Sequence, residues 1–395
     1  MAKLYTSPAG KDITRHSYSS GEMFDDCNFK YYLDKVKGYK RKDKSAALAF
    51  GKAVENALQF FHDNGKKPDT GVDQFKIEWL RSKEADFKYT KTEIDWANLY
   101  ASGSQLLKLY EIILPTLPIV NPVWQASVTK EVFPGTTLAG IEDLGYLDMI
   151  SKAPWEHPML PKVLVPKDSP YRPLVVDVKT SGKPLDIDPR FMALDPQLAR
   201  YAWQSGIKDI AFLWLVKSSA MAFQKGTEVT FLEKSGKWTP GDSATVWQFD
   251  KEAETLLVAA NITPIDAEVA EIKGKGTKDR TDALKVKLLQ EGVLTPVPVE
   301  AVTKQRIQFA AARISDEDVI AAGNRAAKQI VGIVECNTTG VWLKNPGIRY
   351  PKSHCVKCDH RGICLKDDKL RDELLVQISP AEPEKDWLDD LEESE

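Results

Sequence analysis

The sequence predicts an α/β protein in which a central mixed β-sheet is flanked by α-helices. Leu174, Val175 and Val176 form an unbroken run of branched apolar residues, which is typical of a strand buried on both faces. Other stretches repeat their apolar residues at helical spacing, and residues 46–62 are the clearest example. A chain of 395 residues is long enough for such a core and for insertions into it.

Hydropathy, cysteine content and charge narrow the range of functions. No apolar run approaches ~20 residues, and the first residues lack the apolar segment of a signal peptide. We therefore expect a cytoplasmic protein without a membrane partner, located in the host cytoplasm if a phage encodes it. Five cysteines in such a chain favour metal binding over disulfides. Residues 382–395 hold eight acidic side chains against one lysine, so the rest of the chain is slightly basic.

The N-terminal part is predicted to be mainly helical. Ser17–Gly38 begins with serines that can cap a helix, and Cys27 lies on or beside that helix. Residues 46–62 form an amphipathic helix with Glu55 beside its apolar stripe. A third helical pattern, at about 75–115, ends before a proline and indicates a helical insertion.

A basic stretch lies between the first two of these helices. Because its basic residues are interleaved with tyrosines, it is suited to hold the phosphates of DNA and to stack on the bases. A solvated helix and loop is an equally good interpretation of this composition. The basic residues are Lys30, Lys35, Lys37, Lys40, Arg41, Lys42 and Lys44.

Two further strands are predicted ahead of the central one. Residues 123–132 alternate between apolar and polar, and residues 140–150 form a second strand that carries Asp148. The proline-rich loop 153–173 then leads into the central strand. We expect this loop to lie over the functional site or over DNA.

The central strand ends with two charged residues. Asp177 and Lys179 are two residues apart, so they project from the same face. Taken alone, they are most simply an ion pair where the strand meets solvent. Together with Asp148 from the neighbouring strand, they supply two carboxylates and a lysine, which a hard divalent cation and an activated water require. Hydrolysis of a phosphodiester bond is the reaction that fits.

A helix with two polar residues follows the central strand. The dipeptide Asp195-Pro196 starts it. Gln197 and Tyr201 lie four residues apart on one of its faces. A second helical insertion is expected at about 245–295, and the sequence contains no Walker A loop, so it has no helicase motor of its own.

Three cysteines near the C-terminus have the spacing C-x2-C-x5-C. They are Cys355, Cys358 and Cys364. Three thiols need a fourth ligand, for which Cys27 and Cys336 are the candidates. The local spacing does not separate zinc from an iron–sulfur cluster, and His354 and His360 leave a mixed cysteine and histidine site open.

These residues resemble the PD-(D/E)XK nuclease superfamily, and within it the RecB-like exonucleases with an iron–sulfur cluster, such as the AddB type. The four motifs of that family occur here in the family's order. They are Gly51–Glu55, Gly145–Asp148, Asp177–Lys179 and Gln197–Tyr201. One departure is Glu55, where the RecB-like branch usually has histidine. The resemblance implies a restriction-endonuclease-like nuclease domain over residues 15–375.

The resemblance also implies an activity and a role for each site residue. The protein would be a Mg²⁺- or Mn²⁺-dependent DNA exonuclease in recombination, repair or replication. Glu55, Asp148 and Asp177 would hold the metal ion. Lys179 would orient the attacking water, with Gln197 and Tyr201 in supporting roles.

In the same family, one N-terminal and three C-terminal cysteines hold a [4Fe-4S] cluster. The resemblance therefore assigns the cluster to Cys27, Cys355, Cys358 and Cys364, and it would link the two ends of the domain. Structural Zn²⁺ is the alternative. Cys336 would remain a buried thiol.

Two alternatives concern function and partners. A DNA-binding subunit of a recombination or repair complex could keep the fold and the cluster without cutting, although the intact set Asp148, Asp177 and Lys179 favours an enzyme. The acidic segment 376–395 is predicted to be disordered in isolation. Trp387 and its neighbouring leucines could dock on a protein partner, fold back over the DNA channel, or simply stay solvated.

Overall fold

The computed structural model describes seven ranges of the chain and the backbone of three short strands between residues 247 and 296. The seven ranges are residues 2–82, 87–89, 96–163, 169–185, 188–217, 306–345 and 354–377. No helix within them is long and apolar enough to cross a membrane.

The strands are short at both ends of the chain and long in the middle. In chain order they are β1 (Tyr5–Thr6), β2 (Asp12–Ile13), β3 (Arg15–Ser17), β4 (Tyr39–Arg41), β5 (Lys44–Ser45), β6 (Phe87–Lys88), β7 (Val120–Glu131), β8 (Glu142–Pro154), β9 (Tyr171–Ser181), β10 (Asp209–Val216), β11 (Trp247–Asp250), β12 (Thr255–Ala259), β13 (Leu294–Pro296), β14 (Ile307–Arg313) and β15 (Leu375–Gln377).

The α-helices of the described ranges are α1 (Tyr18–Asp26), α2 (Asn28–Tyr31), α3 (Ala46–Asp63), α4 (Thr70–Arg81), α5 (Trp96–Ile113), α6 (Pro196–Ser205), α7 (Asp316–Thr339), α8 (Arg361–Leu365) and α9 (Asp368–Leu374). A π-helical turn, Tyr32–Val36, extends α2. Short 3₁₀ segments occupy Leu114–Thr116, Pro189–Leu194 and His354–Lys357.

Six strands form the central sheet. Their order is β14-β10-β9-β8-β3, with β7 also paired to β8. β9 runs parallel to β10 and β3 parallel to β8, whereas β8 is antiparallel to both β7 and β9, and β14 is antiparallel to β10. The predicted fold class, an α/β protein with a central mixed sheet flanked by helices, is therefore confirmed.

Strand β9 is buried on both faces, as its apolar run predicts. Leu174, Val175 and Val176 are fully buried. Val176 packs in the hydrophobic cluster that includes α3, α4 and α5, whereas Val175 packs in the cluster that includes α6. Helices therefore cover both faces of the sheet, which is why Leu174, Val175 and Val176 follow one another without a polar residue between them.

The two predicted helical insertions have different outcomes. The helical pattern at 75–115 corresponds to α4 and α5, which pack with α3. The helical prediction for 245–295 is wrong at its start, where β11 and β12 form an antiparallel pair. Residues 255–259, TLLVA, form a short apolar run with β-branched residues, and such a run fits a strand as well as a helix. The remainder of that insertion lies outside the described residues, except for β13.

The loop after β8 leaves the sheet far from Asp177. β8 and β9 form an antiparallel pair in which Pro154 lies opposite Tyr171. Asp177 is six residues further along β9, or roughly 20 Å away at about 3.3 Å per residue. Because a hairpin loop joins the adjacent ends of its strands, this loop starts and ends at the remote end of β9. Residues 164–168 in its middle lie outside the described residues, so its position over the functional site or over DNA stays a prediction.

The C-terminal segment is attached to the N-terminal one. β15 pairs with β4, and the backbone N–H of Lys42 donates to the carbonyl of Leu374 at 3.0 Å. The predicted tail, 376–395, therefore starts with two residues of a strand. Residues 378–395 lie outside the described residues, so the docking prediction for Trp387 stays a prediction.

A buried polar network joins β8, α6 and α7. Asp143 on β8 and Arg200 on α6 are almost completely buried. Arg200 Nε donates to Asp143 Oδ2 at 2.8 Å, its Nη2 donates to Asp143 Oδ1, and its Nη1 donates to Gln329 Oε1 on α7 at 2.8 Å. Gln204 Nε2 adds a hydrogen bond to Asp143 Oδ2 at 2.6 Å. The network fixes α6 against both neighbours.

Removing the arginine charge should therefore destabilise the whole fold. In the variant Arg200→Met, Asp143 stays buried without its partner, and we expect the free energy of unfolding to fall by about 3–5 kcal/mol. Urea denaturation measures this change. Lys3→Met is the matched control, because the ion pair of Lys3 with Asp12 is exposed and its loss should matter far less. Equal losses in the two variants would contradict the structural role of the buried pair.

Candidate active site

Asp148 and Asp177 lie where the pairing of β8 and β9 ends. The register runs from Pro154 opposite Tyr171 to Met149 opposite Val176, so the next row brings Asp148 to Asp177. There the backbone N–H of Val178 donates to Asp148 Oδ2 at 2.8 Å. A side-chain carboxylate thus takes the place of a backbone acceptor, and the two strands separate at this row.

Lys179 connects this row to helix α6. Its Nζ lies 2.8 Å from Asp177 Oδ2 and donates to Asp177 Oδ1 at 3.0 Å and to Gln197 Oε1 at 3.3 Å. Gln197 Nε2 in turn donates to the hydroxyl of Tyr201 at 2.7 Å. The structure therefore brings Asp148, Asp177, Lys179, Gln197 and Tyr201 into one site.

The start of α6 places Gln197 for this contact. Asp195 caps the helix, since its Oδ1 accepts hydrogen bonds from the backbone N–H groups of Gln197 at 2.9 Å and Leu198 at 3.0 Å. Pro196 occupies the first helical position, where its missing N–H costs nothing. Asp195 and Pro196, which predicted the start of the helix, therefore also fix the position of the face that carries Gln197.

Glu55 reaches the site from α3. A Cβ added at Gly51 would lie 3.2 Å from Thr180 Oγ1, so α3 crosses close to the end of β9. Glu55 Oε1 accepts a hydrogen bond from Gln125 Nε2 at 3.2 Å, and Oε2 lies 3.7 Å from Lys52 Nζ. Sequence reasoning missed both Gln125 and Lys52, because neither belongs to a recognisable motif.

Burial shapes the electrostatics of the three acids. It raises the pKa of Asp177 to about 7, with the nearby Asp148 adding to the effect and Lys179 opposing it. Burial and the charge of Glu55 raise the pKa of Asp148 to about 6, and burial also raises the pKa of Glu55. Burial lowers the pKa of Lys179, but the charge and hydrogen bond of Asp177, together with the charges of Asp148 and Asp195, outweigh burial, so the lysine pKa is raised.

The donor set suits a hard divalent cation. Mg²⁺ and Mn²⁺ prefer carboxylate oxygens. Asp177 is buried and Glu55 and Asp148 are partly buried, so three acids whose charges repel one another would gain from a bound cation. Among the described residues, no group of three or more histidine, cysteine, aspartate or glutamate side chains has the arrangement of a metal-ion site.

The four predicted cluster cysteines line a single cavity of about 490 Å³. Cys27 lies at the junction of α1 and α2, while Cys355, Cys358 and Cys364 lie in the C-terminal segment. Burial raises the pKa of the Cys364 thiol, and the nearby Cys27 and Cys355 add to this effect. Cys336 packs instead in the apolar cluster that contains Phe24 and Tyr31.

The two neighbouring histidines are already engaged through one ring nitrogen. His354 Nε2 donates to the carbonyl of Asn345 at 2.7 Å, and His360 Nε2 donates to the carbonyl of Tyr39 at 3.0 Å. Each histidine therefore keeps only Nδ1 for any other partner. Four thiols facing one cavity form the more complete donor set.

Most of the predicted DNA-binding residues have partners within the protein. Lys35 and Lys40 lie 3.5 and 3.2 Å from Asp34, and Arg41 lies 3.8 Å from Asp359. Lys42 donates to the carbonyl of Asp372. Lys37 lies over the ring of Tyr32, and Lys30 lines the cysteine cavity. The side chain of Lys44 lies outside the described residues, and DNA binding by this stretch stays a prediction.

Comparisons with known proteins add little to this description. No protein-family model matches the chain, and no curated protein matches it. Among solved structures, it is similar to the crystal structure of SSO0001, with 14% identity, coverage of 43% of this chain and 70% of that chain, and a TM-score of 0.18. A likeness at this level carries no argument. The geometry described above is that of an α/β protein with acids and a lysine at one end of a mixed sheet.

The raised pKa of Asp177 predicts how stability changes with pH in the absence of metal ions. The unfolded chain loses this proton near pH 4, whereas the folded chain keeps it until about pH 7. The folded state therefore binds more protons in between, and stability falls as pH rises through this window. We expect the fall to be on the order of 1–3 kcal/mol from this group.

Urea denaturation in a chelator, at several values between pH 5 and pH 8, measures the effect. Asp177→Asn should remove most of the fall, because asparagine has nearly the same shape and no charge. Asp12→Asn is the control, since the pKa of the exposed Asp12 is lowered rather than raised. A fall of the same size in wild type and Asp177→Asn would show that Asp177 does not titrate in this window.

Proposed function

We propose that the protein is a metal-dependent deoxyribonuclease of the PD-(D/E)XK superfamily, an exonuclease of the RecB-like type. The observation that carries this proposal is the row at which β8 and β9 separate. It holds Asp148 and Asp177 side by side, with Lys179 bonded to Asp177 and Glu55 approaching from α3. The mixed central sheet is consistent with such a fold.

Each side chain of the site would have its own role in phosphodiester hydrolysis. Glu55, Asp148 and Asp177 would hold Mg²⁺ or Mn²⁺, which when bound polarises the phosphoryl oxygens and activates water. Lys179 keeps its proton, because Asp177 raises its pKa, so its ammonium orients the attacking water and stabilises negative charge on the phosphate. The amide of Gln197 fixes the direction of the ammonium, and Tyr201 fixes the amide.

Burial of the acids explains why the site needs its cation. Ionising Asp148 and Asp177 together, in a buried place and beside Glu55, is unfavourable without a compensating positive charge. Lys179 supplies one such charge, and the divalent cation would supply the rest. The same arrangement therefore favours metal binding and disfavours the empty, ionised state.

We also propose a [4Fe-4S] cluster held by Cys27, Cys355, Cys358 and Cys364. These four thiols line one cavity although the first is more than 300 residues from the others in sequence. Zinc held by the same thiolates is the rival, because Zn²⁺ also accepts four cysteines. Either centre would join the α1–α2 region to the C-terminal segment.

Cleavage assays test the nuclease proposal. The substrates are end-labelled linear and circular DNA, each single- and double-stranded, with Mg²⁺ or Mn²⁺. Asp177→Ala and Lys179→Ala should each lower the cleavage rate by roughly 10² or more, because the first removes a proposed metal ligand and the second removes a positive charge that stabilises the transition state. Asp12→Asn, at an exposed ion pair, should cleave like wild type.

The substrate pattern decides between the possible activities. Cleavage of linear but not circular DNA identifies an exonuclease. Undiminished cleavage by the Asp177 and Lys179 variants would place the active site elsewhere. If wild type binds DNA and cleaves none of the substrates, the protein is instead a DNA-binding subunit without nuclease activity.

Metal analysis tests the cluster proposal. Anaerobically purified protein should be brown and contain roughly four irons per chain. Cys355→Ala should lose iron, because one of the four thiolates is gone. Cys336→Ala should keep it, since Cys336 packs in a different cluster. If the protein is colourless and contains one zinc per chain, the proposed iron–sulfur cluster is wrong and the four cysteines form a zinc site.

A further inference from the structure

Gln125 has an unusual backbone conformation next to the candidate active site. Its φ is +48°, in the left-handed region that residues with a side chain seldom adopt. The register of β7 with β8, which joins Trp124 to Met149 and Ala126 to Leu147, places Gln125 opposite Asp148. The ladder is interrupted between these two residues. At this row β8 therefore lacks regular pairing on both sides: Gln125 departs from strand geometry on β7, and the pairing with β9 ends before Asp177.

With its backbone in this conformation, Gln125 contacts helix α3 through its side chain. Its Nε2 donates to Glu55 Oε1 at 3.2 Å and lies 3.4 Å from Asn56 Oδ1. Asn56 is held in turn, since its Nδ2 donates to Glu78 Oε2 on α4 at 3.5 Å. An amide on the sheet is thus bonded to a carboxylate and an amide on a helix whose own position is fixed.

We propose that Gln125 is a positioning residue that holds the carboxylate of Glu55 towards Asp148 and Asp177, so that the three acids can share one divalent cation. This inference rests on the proposed function, because the position of Glu55 matters only if the site takes a metal ion. Irregular strand positions next to active sites commonly redirect a side chain. A strained backbone persists where the surrounding structure and the function require it.

The conformation and the hydrogen bond can be separated by mutation. Gln125→Gly relieves the strained φ and removes the amide, because glycine adopts positive φ freely. Gln125→Met keeps the strain and the length of the side chain but removes the hydrogen-bond donor. Asn121→Gly is the matched control, since Asn121 lies on the same strand with the same φ of +48° and the bonds to Glu55 and Asn56 belong to Gln125.

Two measurements on the full-length, metal-depleted protein test the proposal. Isothermal titration calorimetry gives the Kd for Mn²⁺, and thermal unfolding in a chelator gives Tm. Gln125→Met and Gln125→Gly should both bind Mn²⁺ about tenfold more weakly, as expected when a residue that orients a ligand is lost. Gln125→Gly should also raise Tm, whereas Gln125→Met should not. Asn121→Gly should raise Tm and leave the Kd unchanged.

Asp177→Asn defines which part of the Mn²⁺ signal comes from this site. If Asp177→Asn loses Mn²⁺ binding but both Gln125 variants bind like wild type, the role of Gln125 is wrong and the proposed function stands. A tenfold loss in Asn121→Gly as well would show a general effect of β7 and would also overturn the role of Gln125. If wild type shows no Mn²⁺ binding that Asp177→Asn removes, the proposed function fails, and the role of Gln125 fails with it.

Discussion

The buried pair of Asp143 and Arg200 is the interaction on which the arrangement of the site depends. It joins β8 to α6, and Gln329 extends it to α7. Gly145 lets the two elements approach, since a Cβ there would lie 2.1 Å from Gln204 Oε1. A charge left unpaired in this place costs several kcal/mol, so the helix cannot slide along the strand without breaking the pair. Gly145 thus has a packing reason that is independent of the proposed function.

The same two elements carry residues of the candidate site a short distance further on. Asp148 follows Asp143 by five residues on β8, and Gln197 precedes Arg200 by three residues on α6. The buried hydrogen bonds of Asp143 and Arg200 hold the elements together. The acids where the ladder opens, in contrast, have raised pKa values and are unfavourable when ionised without a cation. The stabilising pair of Asp143 and Arg200 therefore lies next to the destabilising acids Asp148 and Asp177. A rigid scaffold of this kind lets the site remain strained.

The sequence was sufficient for those parts of the site that depend on local chemistry. The buried strand followed from Leu174, Val175 and Val176, and the start of α6 followed from Asp195 and its proline, because such signals act within a few residues. Gln125 could not be predicted, since its conformation depends on the register of β7 against β8 and on a glutamate 70 residues away. The ends of the loop 153–173 could not be placed from the sequence for the same reason. Their position depends on which ends of β8 and β9 meet.

The cysteine cavity is held together by contacts that need no metal. β15 pairs with β4, the backbone N–H of Phe29 donates to the carbonyl of Leu343 at 3.0 Å, and His360 bonds to the carbonyl of Tyr39. A cluster would therefore add to an existing attachment and would not create it. The acids lie on other elements, β8, β9 and α3, which have their own core. Loss of a cluster should therefore loosen the junction of the N- and C-terminal segments before it disturbs the row that holds Asp148 and Asp177. The two proposed centres can be tested independently of each other.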